Sequence, residues 1–229
     1  MFVLDIKPSS STHRALESTR DHLYLVIDPA TSTGYCLVRR PYPYGVADIF
    51  QYGIINVDTS SEYQGQHCLD LVRQLKELLD KFPVTHIALE DYFFSQKYCS
   101  GTTVNAAFRT AIHMLACERA IPYTILNIAL WKTFVAGRSM PTKAQKVTWG
   151  KVLANKLFIQ EALFVRYGFR FSNHCLSQKT QKPVKFKSDI VDAVAQAVYF
   201  CSTVVVHSSG TGGTGGTVQH PPNITMSVL

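Results

Sequence analysis

Two short apolar runs in this chain each end on a carboxylate, and a longer apolar stretch begins with two more. Leu23-Tyr24-Leu25-Val26-Ile27 closes on Asp28, His86-Ile87-Ala88-Leu89 closes on Glu90, and Asp189 and Asp192 open the stretch Ile190 to Phe200. Runs of four to eight apolar residues read as buried strands, and longer periodic stretches read as helices. A carboxylate at the end of a buried strand needs a partner, and few Arg or Lys lie near these acids in sequence. Acids that would repel one another are tolerated in one pocket when divalent cations neutralise them. Oxygen-only donors suit Mg²⁺ or Mn²⁺, and such ions are a common tool for phosphodiester cleavage.

The intervening sequence constrains how these acids meet. Residues 23–27, 35–38 and 49–57 read as a three-stranded meander, with a turn at 29–34 and a Pro/Tyr-rich loop at 39–45. Helical spacing at Leu69, Val72, Leu75, Leu78 and Leu79 predicts a helix over 65–81, ended by Pro83. A strand over 84–89, a helix over 104–119 and a short strand over 123–126 follow. Residues 142–165 read as one helix with Thr142 as N-cap, and 188–206 as the last, with its acids in the first turn where the helix dipole favours them. This order predicts an α/β fold. Its mixed sheet has three antiparallel strands and then parallel strands, with helices on both faces. Asp28 and Glu90 then face each other on neighbouring strands, and Asp189 and Asp192, three apart, share a helix face.

Residues 1–20 read as a loosely ordered polar arm, 21–207 as one domain with a basic insertion around 157–187, and 208–229 as a flexible Gly-rich tail. No apolar run is long enough to span a bilayer, so no membrane association is expected. Six scattered cysteines without a C-x-x-C pair read as reduced thiols of an intracellular protein, and speak against zinc. Charge is strongly uneven: Arg119 to Lys187 holds 13 Lys or Arg against the single acid Glu161, or +12, in a chain whose net charge is +7. A basic surface beside a carboxylate cluster points to a nucleic-acid backbone.

Four stretches, in order, carry a likeness to a known family. They are Ile27-Asp28-Pro29 with Gly34-Tyr35, Ile87 to Phe94 around Glu90, Gly137 to Lys143, and Ser188-Asp189-Ile190-Val191-Asp192-Ala193. Together they resemble the RuvC-like Holliday junction resolvases of the RNase H-like superfamily, over residues 23–200. The chain departs from that pattern in its longer, more basic stretch before Asp189 and in Ala30, where glycine is frequent.

The resemblance implies a structure-selective endodeoxyribonuclease that resolves four-way junctions by paired symmetric nicks. Asp28, Glu90, Asp189 and Asp192 would hold two Mg²⁺ or Mn²⁺ ions, and Lys143, or else Lys146, would contact the scissile phosphate. Tyr92 and Phe93 would meet the junction centre. Arg138, Arg166, Arg170, Lys179, Lys182, Lys185 and Lys187 are expected phosphate contacts. A homodimer, with the helix over 104–119 at its interface, would present two active sites to the branched DNA. Compartment is left open among the places where DNA is recombined or replicated. Two other readings stand beside this one: a nuclease of the same superfamily acting on RNA or RNA:DNA hybrid, and a non-catalytic junction-binding recombination protein.

Overall fold

A computed structural model of the chain describes residues 21–41, 48–91, 99–169, 171 and 188–207. The expected N-terminal arm, the Gly-rich tail, and Tyr92, Phe93, Arg170, Lys179, Lys182, Lys185 and Lys187 lie outside the described residues. Five strands and six helices follow in the order β1 (Asp21–Asp28), β2 (Ser32–Pro41), β3 (Asp48–Asn56), α1 (Gln64–Lys81), β4 (His86–Glu90), α2 (Cys99–Glu118), β5 (Tyr123–Leu126), α3 (Ile128–Ala136), α4 (Lys143–Trp149), α5 (Lys151–Tyr167) and α6 (Ser188–His207). The strands form one sheet in the order β3-β2-β1-β4-β5. The β1–β2 and β2–β3 pairs are antiparallel, and β1–β4 and β4–β5 are parallel. This is the mixed α/β sheet that the alternation of apolar runs and helical stretches predicts.

Side chains alternate across a strand, so the central strand feeds two cores. Leu23, Leu25 and Ile27 point to one face, where they pack with Leu71, Leu75 and Leu79 of α1 and Phe108, Ile112 and Leu115 of α2. Tyr24 and Val26 point to the other, where they meet Trp131 and Val135 of α3, Ile159 and Leu163 of α5, and Val191, Val194 and Val198 of α6. Leu25, Val26 and Ile27 are all fully buried, which explains why β1 reads as an unbroken apolar run rather than an alternating one. Each such side chain contributes roughly 1.5–3 kcal/mol of transfer free energy.

Three local expectations are corrected. In α1 the buried stripe is Leu71, Leu75 and Leu79, whereas Leu69 is 63% exposed. Both stripes have helical spacing, and only contact with the sheet selects one. The expected helix over 142–165 is two helices, because Gly150 adopts φ 76° and ψ 149° between α4 and α5; Val147 of α4 is exposed. Helix α3 is an addition to the expected elements, since its segment is apolar nearly all round and shows no periodicity. Its signals are its ends: the Asn127 side chain accepts from the Ala129 and Leu130 amides, and Gly137 closes it at φ 73°. The N-cap at Thr142 is present as a full capping box with Gln145.

Candidate active site

The parallel β1–β4 register runs from Tyr24↔His86 to Ile27↔Leu89. One step further along both strands stand Asp28 and Glu90, at adjacent carboxyl ends of the sheet. Asp28 continues the parity of Tyr24 and Val26, and Glu90 that of Ala88, so both acids point to the face that α6 covers. Asp28 is also paired across the β1–β2 hairpin with Gly34. A β-carbon on Gly34 would overlap the carbonyl group of Asp189 and lie 3.1 Å from the Ile190 amide nitrogen. The bare glycine therefore admits the first turn of α6 directly against the hairpin, beside Asp28.

The four sequence-predicted carboxylates consequently feel one another. Burial, then the charges of Glu90, Asp192 and Asp189, push Asp28 well above the ordinary carboxylate range. Glu90 is pushed up to about 8, by burial first and by Asp192 next, against the opposing pull of Lys132 and a hydrogen bond with Asp28. The physical content is that these acids cannot all be ionised together without a counter-charge. Among the described residues no three His, Cys, Asp or Glu side chains form a ready-made ion cage. The acids stand within electrostatic reach rather than closed around a point, so a bound cation would have to draw them together. Their donor atoms are all carboxylate oxygens, a set that fits a hard divalent ion.

Three further residues frame this site, and sequence reasoning does not single them out. Gln196 of α6, buried, donates its amide to Glu90 Oε2. It lies one turn past Asp192, and that spacing is the available signal. Asp91, next to Glu90, pairs with Arg109 of α2, tying the end of β4 to the opposite layer. Lys132, half-buried on α3, is the cation that acts on Glu90; it escapes sequence reading because the helix that carries it is marked only at its ends.

The other expected contacts stand in different local settings. Lys143 is the exposed first residue of α4, Lys146 lies half-buried a turn later, and Arg138 is exposed just past the end of α3. Arg166 is engaged within the fold: its Nη1 donates to the carbonyls of Phe134 and Val135 at 2.8 Å, satisfying the carboxyl end of α3. Phe169 is buried, with edge contacts to Tyr52 and Phe171. His113 of α2 stacks on Tyr123 and leaves its Nε2 buried without a hydrogen bond.

The fold and the four acids define an RNase H-like α/β domain with an acidic centre at the carboxyl ends of its central strands. This chain belongs to the RuvC family: residues 24–159 match the family described as crossover junction endodeoxyribonuclease RuvC. The match takes in Asp28, Glu90 and Lys143 and ends before α6, so Asp189 and Asp192 rest on the fold. Among solved structures the chain is similar to T. thermophilus RuvC in complex with Holliday junction substrate, with a TM-score of 0.50 and 16% identity over 76% of this chain and 89% of that one. It is also similar to the fowlpox virus resolvase solved with Holliday junction DNA (TM-score 0.46, 10% identity, 80% and 98% of the two chains). The yeast mitochondrial Holliday junction resolvase gives a TM-score of 0.45 at 17% identity, covering 76% of each chain. At 16% identity the likeness to T. thermophilus RuvC speaks for the fold alone. No curated protein sequence matches the chain.

Proposed function

We propose that this protein is a structure-selective endodeoxyribonuclease that resolves four-way DNA junctions by paired symmetric nicks, as a homodimer and with two divalent ions at each active site. The observation that carries the reading is the approach of acids from β1, β4 and α6 at one end of the sheet, with Asp28 and Glu90 at adjacent strand ends, the first turn of α6 against Gly34, and Asp28 within electrostatic reach of Glu90, Asp189 and Asp192. Family membership supports the substrate class, since the family is described as crossover junction endodeoxyribonuclease.

Asp28, Glu90, Asp189 and Asp192 would hold Mg²⁺ or Mn²⁺. When bound, the ions supply Lewis acidity at the phosphate and a potent nucleophile at neutral pH. The reaction adds water to phosphorus and breaks the bond to the 3′ oxygen, leaving a 5′-phosphate and a 3′-hydroxyl. Asp28 is the central acid, because it interacts with the other three. Two exposed or half-exposed ammonium groups, Lys143 and Lys132, flank the acids in this reading. Lys143 offsets charge developing on a non-bridging phosphate oxygen, with Lys146 as its alternate. Arg138 and the basic stretch up to Lys187 hold the phosphate backbone and position the arms without reading sequence. The arm at 1–20 and the tail at 208–229 flank this single nuclease domain, and the site of action is wherever DNA is recombined or replicated.

The test is incubation with a synthetic mobile four-way junction in Mg²⁺, Mn²⁺ or chelator, with cut positions mapped on all four strands. Symmetric nicks in one opposed pair of strands, dependent on the metal, are expected. Equal cleavage of linear duplex, or preferential cleavage of RNA:DNA hybrid, overturns the junction reading. Binding without cleavage in either metal overturns the enzyme reading.

A further inference from the structure

Gln196 has no part in the roles above, yet it is among the few fully buried polar side chains of the described residues. It follows Asp192 by four positions and Asp189 by seven on α6, so the three share one helix face. Small residues flank it: Ala193, Ala195 and Ala197 are all buried. Its Nε2 donates to Glu90 Oε2, whereas its Oε1 is buried without a hydrogen-bond partner.

That half-satisfied amide is the informative feature. An apolar side chain of the same volume would fill the space without stranding a carbonyl oxygen, so packing alone does not explain a glutamine here. A Lys or Arg would also donate to Glu90, but would neutralise the carboxylate and compete with a cation. A neutral amide holds one oxygen and leaves the charge of Glu90 intact. Outer partners of this kind orient ion-binding groups.

We infer that Gln196 is a positioning residue for Glu90: its amide fixes the rotation of the carboxylate so that the remaining oxygen faces Asp28 and the divalent ions. This rests on the metal-dependent reading above. The amide does not touch the reacting phosphate. It acts by keeping Glu90 in one orientation that would otherwise be lost to rotation about the last side-chain bond.

The test uses the full chain and Mn²⁺ itself. Calorimetric titration with Mn²⁺ is compared for wild type and Gln196→Leu, alongside thermal unfolding in chelator and the Mn²⁺ concentration giving half-maximal junction cleavage. The expected result is about 10- to 100-fold weaker Mn²⁺ binding. The half-maximal Mn²⁺ concentration should rise by a similar factor, the maximal rate at saturating Mn²⁺ should be largely recovered, and the melting temperature should be unchanged or higher. Wild-type Mn²⁺ affinity in Gln196→Leu overturns the inference alone. A wild-type chain that binds no Mn²⁺ overturns the metal-dependent reading and the inference with it. If Gln196→Leu does not fold, the unbranched Gln196→Met decides by the same criteria, and failure of both to fold makes Gln196 a core residue and also overturns the inference.

Discussion

The α-carbon of Gly34 lies against the backbone carbonyl of Asp189, with no room for a β-carbon between them. Gly34 is paired with Asp28 across the hairpin, so this close approach brings the first turn of α6, with its acids, up to the central acid of the sheet. Replacing Gly34 with Ala is expected to push the first turn of α6 outward. The cost should be about 1–3 kcal/mol, the usual range for forced overpacking, read by urea denaturation. Mn²⁺ affinity should fall in the same variant, because Asp189 and Asp192 move as a unit with their helix. A Gly34→Ala protein with wild-type stability would mean that the helix yields without strain.

Asp28→Asn and Glu90→Gln each remove a charge from a place where burial already penalises it. Cleavage should fall by at least about 100-fold. Junction affinity in chelator should be kept or improved, because less negative charge faces the phosphates. Gel-shift titration beside a single-turnover cleavage assay checks both halves. Full cleavage by either variant in Mg²⁺ would remove that carboxylate from the mechanism.

The raised acids make stability depend on pH in a definite direction. Burial and the charge of Asp192 push Glu90 up to about 8 in the folded protein, against an ordinary value of 4.5, and burial raises Asp28 as well. A carboxyl that holds its proton more tightly when folded contributes stability that is complete below its unfolded value. That contribution is lost as pH rises through its folded value. In chelator the melting temperature is therefore expected to fall between about pH 5 and pH 8. The loss should exceed about 2–4 °C, the shift for roughly 1 kcal/mol in a domain of this size. Mg²⁺ or Mn²⁺ should restore more stability at pH 8 than at pH 5. Differential scanning calorimetry at the two pH values, with and without metal, measures this, and Glu90→Gln should flatten the slope.

The basic stretch and Arg166 separate in their responses. Junction binding should weaken steeply with salt, with a slope of about −0.9 in log–log form for each phosphate neutralised on duplex arms. Lys143→Ala should slow cleavage more than it weakens binding. Arg166→Ala should instead cost about 1 kcal/mol of stability, since its guanidinium holds the Phe134 and Val135 carbonyls, and should leave the salt slope unchanged. Fluorescence anisotropy across a salt titration distinguishes the two.

Much of this architecture is legible in the order of residues. The apolar run of β1 is readable because both its faces are buried, and the capping box at Thr142 because its chemistry is local. Helix α3 is not legible from its period, and Lys132 is hidden with it: its exposed Leu130 is as apolar as its buried Trp131 and Val135, so no polar face marks the turn. For Arg166 the sequence reports only charge; its bonds to the Phe134 and Val135 carbonyls appear with the packed layers.

The identity of the four acids, and the type of element carrying each, follow from the amino-acid sequence alone. Strand and helix periodicity, and the abrupt change from apolar to acidic, are properties of neighbouring residues. Which groups act on which is fixed only when the layers pack: Gly34 against Asp189, Gln196 on Glu90, Arg109 on Asp91 and Lys132 beside Glu90. Those pairings join segments far apart in the chain. Their strength depends on desolvation and orientation where β1, β4 and α6 meet, and neither quantity exists until the helix has packed on the sheet.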